Sequence, residues 1–186
     1  MANFTAKAIK ETFIQMIEER PLSEITVKEI VKKCGINRNS FYYHYDDLPA
    51  LIEEIVKEET EAIISKYPSV SSIVECFDVL TEFASHRERA IMHIFRSVNR
   101  EVFERNLMGL SEYFVTEYVN TVLNDSNIAQ NGKKTIITYY KSVFFGLVME
   151  WLNNGMSREF IEEIRTIFLL KKDWAKEFAS LLQGQI

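Results

Sequence analysis

The sequence predicts an all-α protein, and three observations carry that prediction. Breakers are scarce, with Gly 6 and Pro 3 among 186 residues, which favours long helices over tight turns. Apolar residues recur at i, i+3, i+4 and i+7 along most of the chain, the period of one helix face. Strand-like alternation never lasts more than a few residues. Hydrophobic residues are 47% and charged residues 26%. A substantial core is therefore expected, as one domain or as a small domain joined to a larger one.

Ile9, Phe13, Met16 and Ile17 place the first helix over 3–19, and Arg20-Pro21 ends it. Thr26-Val27-Lys28-Glu29 reads as a capping box. Val27, Ile30, Val31 and Cys34 then give a second helix, stopped by Gly35. Asn37 can cap a short third helix, about 37 to 43. Ile36 before that cap and Phe41 four residues after it form a hydrophobic staple. Asp46 or Asp47 caps the fourth helix, with Pro49 in its first turn, where a missing N–H does no harm. Its buried stripe is Leu48, Leu51, Ile52, Ile55 and Val56, and it runs to about Lys66.

The remainder also reads as helix. Ile73, Phe77, Leu80 and Ala84 form one stripe, Ile91, Met92, Ile94 and Phe95 a shorter one, and Phe103, Leu107, Leu110, Phe114 and Tyr118 a longer one. Residues 124–132 (NDSNIAQNG) are expected to be a polar loop. Residues 134–152 look apolar almost all round, and one last helix is expected from Ser157 to Leu182.

Charge and motifs exclude several classes. The pI of about 5.4 argues against a protein that coats nucleic acid non-specifically. Residues 1–45 nevertheless carry seven basic and five acidic side chains, +2, so the remaining residues carry −7 of the total −5. That asymmetry predicts different partners for the two parts. Cys34 and Cys76 are no disulfide framework. The N-terminus has no apolar run like a signal peptide, and no stretch reaches the roughly 18 apolar residues of a membrane span. The expected compartment is the cytoplasm, with no membrane association. His86 and His93 sit at i, i+7, whereas metal pairs favour i, i+3 or i, i+4. With no Gly-rich phosphate loop and no nucleophile elbow, the reading is no enzyme, no metal and no cofactor.

The informative stretch is CGINRNSFYYHYDDLPAL, residues 34–51. Tyrosines packed this densely are core, a ligand box, or a surface that meets something polar and planar. Three short helices, a Gly-containing turn between the second and third, and a long fourth helix describe a helix-turn-helix unit. At 100° per residue, Phe41 faces the core and Arg38, Asn39, Tyr42 and Tyr43 fall on the other side. Tyr45 is expected to pack at the joint into the fourth helix. Exposed aromatics on a short helix need a reason, and a DNA duplex supplies one. Arg can bond guanine bidentately and Asn adenine. Tyr, Ser and His suit phosphate oxygens. Helix N-termini near Thr26 and Asn37 offer backbone N–H groups and positive dipole ends.

The segment TVKEIVKKCGINRNSFYYHYDDLPALIEEI, preceded by a helix of this length, resembles the DNA-binding domain of TetR-family transcriptional regulators. The match is specific over residues 5–60, and 35–45 follow the family pattern nearly position by position. FFGLVMEWLNNGMS resembles the end of the family's penultimate helix in one common variant. The resemblance implies DNA contacts at Thr26, Arg38, Asn39, Ser40, Tyr42, Tyr43 and His44. With Lys28 and Asn37 these form the expected DNA-binding set. The chain departs at Leu48, where many members carry a lysine that touches phosphate. Asp46 and Asp47 are also acidic near the expected backbone.

The fold expected is thus an N-terminal three-helix helix-turn-helix domain (1–47) joined by a long helix to a helical effector-binding and dimerisation domain (48–186). A helix apolar on every face must be buried on all sides, so residues 134–152 and 157–182 are expected to pair with a second copy in a C2 four-helix interface. Such a homodimer places two recognition helices on successive major grooves, about 34–36 Å apart on a palindromic site. Phe77, Phe83, Met92, Phe95, Phe103, Phe114, Tyr118, Tyr140 and Phe144 are either plain core or, as the resemblance implies, walls of a pocket. Composition says only that its ligand would be mostly apolar. The function expected is a repressor released by a small apolar or aromatic effector. The alternative is a helical partner-binding co-regulator with weak or no DNA binding of its own.

Overall fold

The computed structural model describes residues 2–67, 72–97, 99–124, 130–170 and 174–183. Among these residues every regular element is helical. The helices are α1 (Ala2–Glu19), α2 (Val27–Cys34), α3 (Arg38–Tyr42), α4 (Leu48–Lys66), α5 (Ile73–Ser85), α6 (Glu88–Phe95), α7 (Arg100–Val122), α8 (Gln130–Asn153), α9 (Arg158–Leu170) and α10 (Trp174–Gln183), with a 3-10 turn at Leu22–Glu24. The chain forms two compact units, residues 1–61 with 87–106, and residues 62–86 with 107–186.

The first unit is built around α1. Ile9, Phe13, Met16 and Ile17 are buried along one stripe and pack with Ile30 and Val31 of α2, Phe41 of α3 and Leu51 and Ile52 of α4. Helix α6 joins the same core through Ala90 and Ile94. Its docking has a local cause. The carbonyl of Ile17 would ordinarily accept from residue 21, but Pro21 has no N–H. His93 fills the gap, with Nδ1 2.6 Å from Ile17 O. A carbonyl only accepts, so this nitrogen carries the proton. Arg87 pairs with Glu59 of α4. Cys34 donates its thiol to Thr12 Oγ1 at 3.2 Å.

The second unit has an aromatic core. Phe77 of α5 meets Trp151 of α8 and Phe168 of α9 edge to face, at 6.2 and 5.8 Å, and Phe144 stacks on Phe168. Arg165 of α9 pairs with Asp78 of α5 at 2.7 Å. At the end of α8, Gly155 takes φ +66°, a conformation open to glycine. The N–H groups of Gly155 and Met156 then return to Leu152 O and Trp151 O at 3.0 and 2.9 Å, satisfying carbonyls the helix leaves open.

Two expectations need correction. The polar loop over 124–132 is too long at its C-terminal side, because α8 already includes Gln130, Asn131 and Gly132. Polar side chains suit the exposed first turn of a helix. Residues 125–129 lie outside the described residues. Of the helix expected over 157–182 the described parts are α9 and α10: α9 packs on α5 through Phe168 and Arg165 and on α8 through Phe168 and Phe144, and α10 packs on α8 through Trp174 and Tyr140. Residues 171–173 lie outside the described residues. Helix α8 is not buried all round. Ile136, Phe144, Val148, Trp151 and Leu152 face the core, while Thr135, Thr138, Tyr139, Ser142 and Gly146 form an exposed stripe.

Candidate nucleic-acid interface

Helix α2 begins with the full capping box. Thr26 Oγ1 accepts from Glu29 N at 3.4 Å, and Glu29 Oε2 accepts from Thr26 N at 3.1 Å. Thr26 Oγ1 also donates to that carboxylate at 2.8 Å. Arg20 grips the other oxygen at 2.9 Å. The bonds from Thr26 and then Arg20 hold the Glu29 carboxyl below the usual carboxylate range. The first turn therefore keeps its backbone N–H groups of Val27 and Lys28 outside any intrahelical bond. The Thr26 hydroxyl proton, however, is committed to Glu29.

The link from α2 to α3 is set by two local devices. Gly35 adopts φ 70°, and its N–H and that of Ile36 return to Lys32 O and Val31 O. Asn37 then caps α3, with Oδ1 accepting from Ser40 N at 2.8 Å and from Ser40 Oγ at 3.1 Å. Phe41 is fully buried and Ile36 packs against the same core, so the staple holds α3 by one ring.

With Phe41 turned inward, the other side chains are presented outward. Arg38 and Asn39 are exposed, as are Tyr42 (52%) and Tyr43 (78%). His44 is half-buried, edge to face with Tyr43 at 5.0 Å. Lys28 is exposed on α2. Among the described residues, no hydrogen bond or ion pair occupies the side chains of Lys28, Arg38, Asn39, Tyr42, Tyr43 or His44. Asn37 Oδ1 and the Ser40 hydroxyl proton serve the cap instead, which leaves the Asn37 amide N–H groups as its outward donors. Tyr45 is buried, as expected of a residue packed at the joint into the fourth helix. Asp47 caps α4 through Ala50 N at 2.8 Å, and Asp46 beside it is exposed. Leu48 lies half-buried against the core rather than reaching outward.

The aromatic set divides between the units. Met92, Phe95 and Phe103 belong to the first, where Phe95 and Phe103 meet edge to face at 6.0 Å. Phe77, Phe83, Phe114, Tyr118, Tyr140 and Phe144 belong to the second. There, Phe77 and Phe144 share Phe168, and Tyr118 and Tyr140 share Trp174. A surface concavity on α8 is lined by Lys134, Thr135, Thr138, Tyr139, Ser142 and Val143, none of them from that set. Sequence reading missed Arg20 as the lock on Glu29, since its partner lies nine residues away across a turn.

A buried-ring anchor, a glycine turn and an outward polar helix define a helix-turn-helix DNA-binding protein. Residues 11–55 match the family described as bacterial regulatory proteins, tetR family, and residues 72–172 match a transcriptional regulator C-terminal region. The chain belongs to the TetR family of transcriptional regulators. It is 31% identical over 155 residues to an uncharacterized HTH-type transcriptional regulator, YxbF, of Bacillus subtilis (strain 168). That alignment covers 78% of this chain and 39% of the relative, so the chain spans well under half of that protein's length. Its fold is also that of the dihydroxyacetone kinase operon activator DhaS, with a TM-score of 0.67, 16% identity, and coverage of 98% of this chain and 96% of that one. Among the described residues no helix is long and apolar enough to cross a membrane.

Proposed function

We propose that the protein is a sequence-specific, non-enzymatic regulator that binds a palindromic operator as a cytoplasmic homodimer. Residues 1–47 act as the DNA-binding part and 48–186 as the effector-binding and dimerisation part. The observation that carries this reading is the outward face of α3: an arginine, an asparagine and two tyrosines with no hydrogen-bond or ion-pair partner among the described residues, on a helix anchored by Phe41. Arg38 and Asn39 read bases. Tyr42, Ser40 and His44 hold phosphates, and Tyr43 does either. Ser40 must then exchange its bond to Asn37 for a phosphate oxygen. Thr26, Lys28 and Asn37 flank this face.

The exposed stripe of α8 and the exposed Ile167, Leu169 and Leu170 of α9 support pairing with a second copy. The effector is a small, mostly apolar or aromatic molecule held among the rings of the second unit, Phe77, Phe83, Phe114, Tyr118, Tyr140 and Phe144. Trp151 Nε1 is buried with no hydrogen-bond partner among the described residues, which favours an effector that carries an acceptor. We read the effector as releasing a repressor. DhaS, of the same fold, is an operon activator; for a repressor, a reporter gene behind the operator should be expressed more strongly when the protein is absent. The partner-binding alternative draws on Asp46, Asp47 and the inward Leu48, which weaken the hold on phosphate.

Selection of genomic fragments by the purified protein tests the reading. It should return a two-fold symmetric motif whose affinity falls with salt. Enrichment of no common motif would reject sequence-specific binding and favour the partner-binding alternative.

A further inference from the structure

One cation of the first unit is turned away from solvent. Lys10, in the middle of α1, keeps 16% of its side-chain surface exposed. Its ammonium donates to Glu54 Oε1 at 3.0 Å and to Glu58 Oε1 at 2.5 Å, one turn apart on α4. Tyr45 donates its hydroxyl to the same Glu54 oxygen at 3.3 Å. Burial lowers the Lys10 pKa, but the bonds to Glu58 and Glu54 overcome this and hold it above its ordinary value. Burial and the Glu54 charge push the Tyr45 phenol up to about 12. Both donors therefore keep their protons at neutral pH.

Tyr45 stands directly behind the DNA-facing helix. Its backbone N–H bonds Phe41 O at 3.0 Å, and its ring lies 5.8 Å from that of Phe41. Helix α3 has five residues, so few of its own hydrogen bonds fix its direction. Phe41 holds it by burial, which is not directional. The Tyr45 hydroxyl bond is directional and ties the end of α3 to α4. Lys10 fixes the accepting carboxylate from the side of α1.

We propose that Lys10, Glu54 and Tyr45 are positioning residues that set the angle of α3 against α4, and through it the fit of Arg38 and Asn39 to base edges. The inference rests on the reading of residues 37–44 as the DNA-facing surface. It assigns no contact with DNA to any of the three. Tyr45→Phe keeps the buried ring and removes only the directional bond. Glu54→Ala removes the shared acceptor, and Glu54→Gln keeps an acceptor for both donors.

Fluorescence anisotropy on the selected operator and on a scrambled duplex separates positioning from stability. A smaller folded fraction lowers both affinities by one factor. A misplaced α3 lowers the operator affinity alone, because phosphate contacts are common to both duplexes. Tyr45→Phe and Glu54→Ala should each reduce the operator-to-scrambled ratio about tenfold, as expected for members of one coupled network. The double variant should be no worse than either single, and Glu54→Gln should recover most of the ratio. An unchanged ratio in Tyr45→Phe overturns the proposal, whatever happens to the melting temperature, and that variant decides alone if Glu54→Ala does not fold. Arg38→Ala is measured in parallel. If it lowers the ratio while the network variants do not, the inference alone fails. If Arg38→Ala also leaves the ratio unchanged, the DNA-facing reading fails and the inference falls with it.

Discussion

Gly146→Arg should turn the protein into a monomer and lower its operator affinity by about 10²–10⁴-fold, the advantage that two linked sites have over one. A Cβ at Gly146 meets nothing within 4 Å among the described residues, so an arginine there displaces none of their packing. Replacing a mid-helix glycine should even favour α8, by roughly 0.5–1 kcal/mol. Any loss must then come from a second copy. Gly146 continues the exposed stripe of Thr135, Thr138, Tyr139 and Ser142, small enough for two helices to approach closely. Sedimentation of the parent protein at micromolar concentration should give about twice 21.8 kDa. A Gly146→Arg protein that stays dimeric with full operator affinity would place the interface elsewhere.

Phe41→Ala should remove about 3–5 kcal/mol of stability from the first unit, the usual loss for a fully buried phenylalanine. Phe41 is 0% exposed, and it is the ring by which α3 is held. Domains are stable by only about 5–15 kcal/mol, so this is a large share. The two tryptophans, Trp151 and Trp174, both belong to the second unit. Urea unfolding followed by tryptophan emission should therefore change little. Helix loss followed by circular dichroism should gain an early phase. Coincident, unshifted transitions by both probes would mean that the core of the first unit does not depend on Phe41.

The elements around the DNA-facing helix were legible because their causes are local. Thr26 and Glu29, Asn37 and Ser40, and Ile36 and Phe41 all act within three to five residues, and Gly35 announces its own turn. The wheel then places Arg38, Asn39, Tyr42 and Tyr43 outward once Phe41 is inward. What stayed hidden depends on contacts far apart in the chain. His93 answers a carbonyl orphaned by Pro21 across 76 residues. Lys10 reads as a solvated charge until Glu54, 44 residues on, is seen against it. Helix periodicity runs on through α9 and α10 because both bury apolar faces. On α8, the many aliphatic and aromatic residues between Ile136 and Leu152 suggest an apolar surface all round, yet Thr135, Thr138, Ser142 and Gly146 line up on one exposed face. Composition likewise gathered aromatic residues into one set, while the fold distributes them over two units.

The central claim is that the outward face of α3 reads base sequence. Its most direct test is anisotropy of the parent protein and Arg38→Ala on the selected operator and all its single-base variants, at several salt concentrations. Arg38→Ala should lose about 1–3 kcal/mol on the best site and lose preference at one base position per half-site, with the remaining positions unchanged. Unaltered affinity and an unaltered base preference in Arg38→Ala would contradict it.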